Sequence, residues 1–421
     1  MTDTLTSTRA GARLGWLDAL RGWAALTVVC FHLSPLVLGS EWHLRIFRHI
    51  DFGKYGVLLF FLVSGYVVPM SLERHGSLRR FWVGRLLRIY PAYLATIALV
   101  GVLALAGLGT LPFSLRADPL TGVLAHATML SDPLGLRGVV RVFWTLAYEM
   151  IFYLVVAGLF AWRLHAHSGW WASALALLAL AGPRLPDGLF AAHRTIVAAV
   201  LLVLAVAAVA AGFFGRHGLA GLLGVAFVLL PLVNAHPTAQ STVAASWQGV
   251  LLLAVMFAGT VIYRAQHGQL GWWPASLALL VVVDCLVGAH AAFLSGPVWI
   301  ATVAAVGITF AVAFAVRDLA VPRVLTWLGT ISYSLYLLHV VVLVQVSRLV
   351  PDPADRPLPV RLAVAVVFLV IALGVAALSH RWIELPAQAL GRRFLGARTR
   401  KITTLRAVPS TARGENGRGS V

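Results

Sequence analysis

Residues 17–32 read LDALRGWAALTVVCFH, and two of them carry chemistry that an apolar helix has no structural need for. Arg21 is a permanent cation whose planar donors suit phosphate. His32 has a ring that takes or gives a proton near neutrality. The two stand eleven positions apart, and eleven steps of about 100° return a helix to nearly the same face, roughly 16 Å further along its axis. One face of one helix thus joins a cation to an imidazole. Asp18, three positions before Arg21, is assigned to holding that guanidinium and to no step of chemistry.

Further candidates lie in other apolar stretches. Arg85 and Arg88, spaced i,i+3, share one side of a helix start at the same mouth as Arg21. Glu149 falls about two turns inside the span that follows them, at a depth where it is expected to meet His32. A carboxylate in a membrane helix is costly and functional by default. Ser64, Tyr153, Tyr336 and His339 are placed within spans and read as candidate acceptor-binding groups. Ser64, with the glycine after it, is also read as a close-packing site. Three arginines at one opening and a base some 16 Å deeper suit transfer of an acyl group from a long anionic donor such as acyl-CoA. His32 would take the proton of an acceptor hydroxyl, or carry the acyl group itself, with Glu149 orienting the ring. Each residue also has a plainer reading. A histidine can hydrogen-bond a neighbouring helix, and arginines at span ends can simply fix orientation. Asp284, in VVVDCLVG, is given no role.

The elements that must hold these residues follow from composition. Of 421 residues, 60% are hydrophobic and 11% charged, and the mean hydropathy is +0.88. Apolar stretches repeatedly approach the ~20 residues needed to span a bilayer. The fold class is all-α, a polytopic membrane bundle of ten to twelve transmembrane helices at about 16–38, 55–73, 87–108, 142–162, 169–184, 194–214, 218–235, 246–264, 271–290, 297–316, 325–348 and 361–381. With both termini cytoplasmic, about 21 Lys and Arg fall inside and about 11 outside, the asymmetry of the positive-inside rule. The formal charge of +18 therefore reads as topology and membrane-surface contact, with no nucleic-acid partner. The expected organisation is a cytoplasmic tail over 1–15, a transmembrane domain over 16–386 and a basic, disordered tail over 387–421 near anionic lipid. The first span reads as a retained helix rather than a removed signal peptide. Cys30 and Cys285 show no metal or disulfide spacing, and no metal is expected.

At these residues the chain resembles the membrane acyltransferase-3 family. The matching pieces are LDALRGWAALTVVCFH, GVLLFFLVSGYVV, FWVGRLLRIYPAY, FWTLAYEMIFY, LGTISYSLYLLH and RWIELP, in the family's order. The resemblance implies an integral-membrane O-acyltransferase of the cell membrane with a core of about ten helices. It implies His32 as the essential histidine with Arg21 acting beside it, Arg85 and Arg88 at the acyl donor, and Glu149 as a functional carboxylate. It also implies acyl-CoA as co-substrate, no permanently bound cofactor, and a hydroxyl-bearing glycan, lipid or antibiotic as acceptor. Many relatives carry a fused extracytoplasmic domain, and this chain is expected to work without one. The competing class is a transporter or exporter, since buried charges also mark ion pathways. No inverted repeat supports it.

Overall fold

A computed structural model describes residues 14–233, 242–293 and 296–406 of the chain. Its helices are α1 (Gly15–Leu38), α2 (Ser40–Phe47), α3 (Phe52–His75), α4 (Leu78–Leu105), α5 (Phe113–Ala117), α6 (Pro119–Thr128), α7 (Trp144–Ala161), α8 (Ser168–Ala179) and α9 (Arg194–Phe213). They continue with α10 (His217–Ala226), α11 (Leu229–Val233), α12 (Ser246–Gln266), α13 (Trp272–Phe293), α14 (Gly296–Ala315), α15 (Arg323–Leu349), α16 (Leu358–Ser379) and α17 (Leu385–Arg406). No strand occurs among the described residues. Ten helices there are long and apolar enough to cross a membrane: α1, α3, α4, α7, α9, α12, α13, α14, α15 and α16, the last running on into α17. Two of the twelve expected spans are thus shorter. One is α8, with 12 residues, and the other is the apolar stretch His217–Val233, which forms α10 and α11.

The bundle centre is α3, α7 and α12, whose side chains are buried almost all round, while α9, α13, α14 and α16 present apolar residues outward, as a lipid-facing ring does. Glycines set the two closest crossings. A Cβ on Gly329 would lie 2.0 Å from the Asp18 carbonyl, and one on Gly22 would lie 2.7 Å from the Gly329 nitrogen. No other residue fits there, so α1 and α15 meet backbone to backbone. Gly65 and Gly259 do the same for α3 and α12, the Gly65 position lying 1.7 Å from the Met256 carbonyl.

One hairpin prepares the first group of candidates. α3 ends at Gly76 in the left-handed region, with φ of 58°, and the side chain of Ser77 then accepts the Arg80 N–H to start α4. The reversal takes two residues, so Arg74 at the end of α3 faces Arg80, Arg85 and Arg88 of α4 across one cavity.

One expectation is corrected. The tail expected to be disordered from 387 is helical through Arg406, and its described part lies against α4, where Gly391 meets Leu87 and Phe394 lies under Arg79. Its apolar residues are few but recur along one side, and Ala, Leu, Gln and Arg favour a helix. Residues 407–421, and 1–13 of the expected N-terminal tail, lie outside the described residues. Trp144 is buried, with the ammonium of Lys54 4.7 Å from its ring centre.

Candidate active site

Two polar regions occupy the bundle, one toward the α3–α4 hairpin and one toward the opposite face. The first is a charge cluster. Glu149 is buried on α7, and its Oε1 accepts hydrogen bonds from Ser64 Oγ at 3.3 Å and from the Tyr153 hydroxyl. The Arg85 guanidinium sits 5.1 Å from the Tyr153 ring centre, and that of Arg21 sits 5.3 Å from the Phe60 ring. Arg21 lies within electrostatic reach of Arg88, Glu149 and Asp18, and Arg85 within reach of Arg88 and Glu149. The structure therefore brings Arg21, Ser64, Arg85, Arg88, Glu149 and Tyr153 together. The cluster is net cationic, with one buried carboxylate shared among three guanidiniums. It opens on a cavity of 430 Å³ lined also by Arg74, His75, Arg80 and Arg392.

The second region is a pair of rings. His339 Nδ1 lies 3.0 Å from the Leu335 carbonyl, so that nitrogen carries the proton and Nε2 is bare. Nε2 lies 3.1 Å from Nδ1 of His32, which also lies 3.0 Å from the Val28 carbonyl. A proton on His32 Nδ1 satisfies both neighbours at once. This pattern of bonds leaves Nε2 of His32 with an unshared lone pair, the form a general base requires.

The neighbour of His32 is thus His339 and not Glu149, which corrects the expectation that the carboxylate orients the ring. The physical reason lies before α7. Residues 129–136 are buried without interruption, and this irregular segment fills the outer part of the bundle. α7 therefore starts only at Trp144, below that segment, and Glu149 is carried down to the arginines. Tyr336 links the two regions, its ring centre lying 6.0 Å from that of His339. Its hydroxyl donates to the Val142 carbonyl at 3.1 Å and its ring stacks on Phe60, with centroids 6.3 Å apart. Phe60, Glu149, Tyr333 and Tyr336 border a gap of only 10 Å³, about the room of one water.

Sequence reasoning missed several groups around the histidines. Lys54, one turn into α3, lies within reach of Asp51 and Asp132. Asp132 accepts the Thr242 and Val243 N–H groups at 2.7 and 3.3 Å and the Tyr148 hydroxyl at 3.4 Å. Burial pushes its carboxyl up to about 6. Arg141 and His43 lie within electrostatic reach of His32. The available signal was DPLGLRGVVRVF (132–143), a loop too apolar to be solvated. Glu384, quoted in RWIELP without a role, is buried and accepts a hydrogen bond from Ser334 Oγ at 2.5 Å. Asp284 lies exposed on the outward side of α13, apart from both regions. No group of three or more His, Cys, Asp or Glu is arranged to hold a metal among the described residues.

Known proteins share parts of this chain. It is 32% identical over 146 residues to the acyltransferase MdmB of Streptomyces mycarofaciens, covering 34% of the chain and 38% of that protein. It is 28% identical over 153 residues to the peptidoglycan O-acetyltransferase OatA of Listeria monocytogenes, covering 33% and 23% respectively. It is 32% identical over 174 residues to nodulation protein 10 of Rhizobium leguminosarum bv. viciae, covering 36% and 46%. The chain therefore spans less than half the length of the curated relatives it matches. No solved structure gives a significant match. The family model described as an acyltransferase domain matches residues 14–380, nearly the whole bundle with both polar regions. This chain belongs to that acyltransferase-3 family.

Proposed function

We propose that the protein is a multi-pass O-acyltransferase of the cell membrane that moves an acyl group from cytoplasmic acyl-CoA to a hydroxyl of an acceptor reached from the opposite side. One observation carries the reading: Arg21 and a base-ready histidine lie along helix α1, and Arg21 is within electrostatic reach of Arg88 on the wall of an arginine-lined cavity. Two relatives are named as an acyltransferase and an O-acetyltransferase, which supports the reaction class.

The phosphates of the donor pair with Arg85 and Arg88, helped by Arg74, Arg80 and Arg392 around the cavity. Arg21 and Glu149 stand where the arm enters the bundle. The Phe60–Tyr336 stack closes the gap ahead at rest, so the arm must part these rings before its thioester reaches His32. There the acceptor oxygen attacks the thioester carbon while its proton passes to His32 Nε2. The carbon–sulfur bond breaks and the proton is returned to the departing thiolate, leaving an ester and free CoA. His339 holds the His32 ring in the required tautomer.

The test is His32→Ala in membranes supplied with radiolabelled acetyl-CoA and total lipid and glycan extract. Transfer of label falls by about 10³-fold at unchanged protein level. Undiminished transfer removes the mechanism, and movement of a labelled acceptor across the membrane with no change in its mass supports an exporter instead.

A further inference from the structure

A cavity of 320 Å³ opens on the side of the bundle opposite the α3–α4 hairpin. Its walls come from the far end of α4, from the 109–116 stretch, from residues 137–141 and from α15 at Val340, Val341 and Val344, the turns that follow His339. Arg116, Arg137 and Arg141 all line it. Arg141 is also within electrostatic reach of His32, so the cavity and the base adjoin.

These arginines stand out by their position. They stand on the side opposite the basic α3–α4 hairpin, so the positive-inside rule does not account for them. Like most arginines in a chain with 33 Lys and Arg against 15 Asp and Glu, they make no ion pair with a carboxylate among the described residues. Three like charges around one concavity repel one another, although all three side chains are exposed and solvent screens part of that repulsion. The rim is held in place all the same: Gln345 Nε2 donates to the Leu108 carbonyl at 3.1 Å, and Arg348 Nη2 to the Gly107 carbonyl at 2.9 Å. A cationic recess is complementary to an anion.

We infer that the acceptor carries a phosphate or carboxylate, held by Arg116, Arg137 and Arg141 while its hydroxyl is presented to His32. The inference rests on the acyl-transfer reading and narrows it to anionic acceptors. An acceptor whose only charge is an amino-sugar cation is repelled from this mouth.

The experiment uses the full chain in phosphatidylcholine nanodiscs and three probes of matched size: glucose, glucose 1-phosphate and glucuronate. Binding is measured calorimetrically, without donor. At least one anionic probe binds about tenfold more tightly than glucose, and R116Q/R137Q/R141Q abolishes the difference while leaving glucose binding alone. A preference for glucose 1-phosphate alone identifies a phosphate, and one for glucuronate alone a carboxylate. R116K/R137K/R141K keeps most of the preference, which shows that loss in the glutamine variant is loss of charge. Equal binding of all three probes overturns the inference, as does a preference that survives in the glutamine variant. So does an effect of the variant confined to phosphatidylglycerol nanodiscs, which would make the arginines lipid contacts. Because no turnover is required, His32→Ala must retain the preference. Acyl transfer to neutral acceptors without any preference overturns this inference alone, and an anion preference without transfer overturns the acyl-transfer reading alone.

Discussion

The charge cluster around Glu149 and the ring pair around His32 sit in one bundle and share helix α1, yet they are held in opposite ways. In the cluster, permanent charges face one another through Ser64, Tyr153 and aromatic rings, and side chains satisfy side chains. In the pair, both imidazoles lean on backbone carbonyls of their own helices, four residues back, and touch each other once. A site that grips an anion needs charge that does not change, whereas a site that moves a proton needs a group that can change and a partner that fixes its tautomer. The separation lets each be tuned without the other.

This division of labour can be broken at either end. After loss of His32 itself, the largest effect is expected from His339→Ala, which removes the group facing His32 Nδ1. We expect kcat to fall about 10²-fold with KM for the donor unchanged and the pH profile altered. His339→Gln, which keeps an acceptor there, should recover much of the loss. A shift in donor KM of similar size would show that the two regions are not separate. Next is Arg85→Ala with Arg88→Ala, for which donor KM should rise by about 10-fold or more while the pH profile of kcat stays in place. A changed pH profile would join the cluster to the proton step.

Gly329→Ala sharpens the comparison through their common scaffold. Any Cβ there meets the Asp18 carbonyl, so α1 and α15 must separate, at a cost of about 1–3 kcal/mol. Thermal unfolding in detergent should register that loss, and kcat should fall before donor KM moves, because His32 and His339 ride on these two helices. An unchanged melting temperature would show that the crossing gives way freely. The smallest effect concerns Asp132. Its raised pKa means that ionisation is harder in the folded chain than in the unfolded one, so this group's contribution to stability is full below pH 3.8 and falls as pH rises to about 6. Asp132→Asn should flatten that part of the profile of melting temperature against pH, and an unaltered slope would assign it to other groups.

The sequence made the long spans legible because their apolar runs are uninterrupted, and the eleven-residue step from Arg21 to His32 was readable because it lies within one helix. The meeting of His32 with His339 was not. Those residues are 307 positions apart, and their contact depends on Gly22 and Gly329 letting two particular helices approach. Glu149 illustrates the opposite difficulty. Its helix was evident, but its depth depends on how far the apolar segment before α7 folds inward, and hydropathy is blind to that. The short legs α8 and α10–α11 fell below the length that distinguishes a span from a buried helix.

Residues His380–Glu384 form a single π-helical turn between α16 and α17. Such a turn holds roughly one residue more than an α-helical one, so everything beyond it is rotated by about 100° relative to the span that carries it. The wall of the arginine-lined cavity contributed by Gln388, Gly391 and Arg392 is therefore set by a phase shift in the helix and not by the direction of α16. Removing one residue from this turn would leave the span intact and swing Arg392 away from Arg85 and Arg88, so the final helix works as a key whose cut is made by a single extra residue.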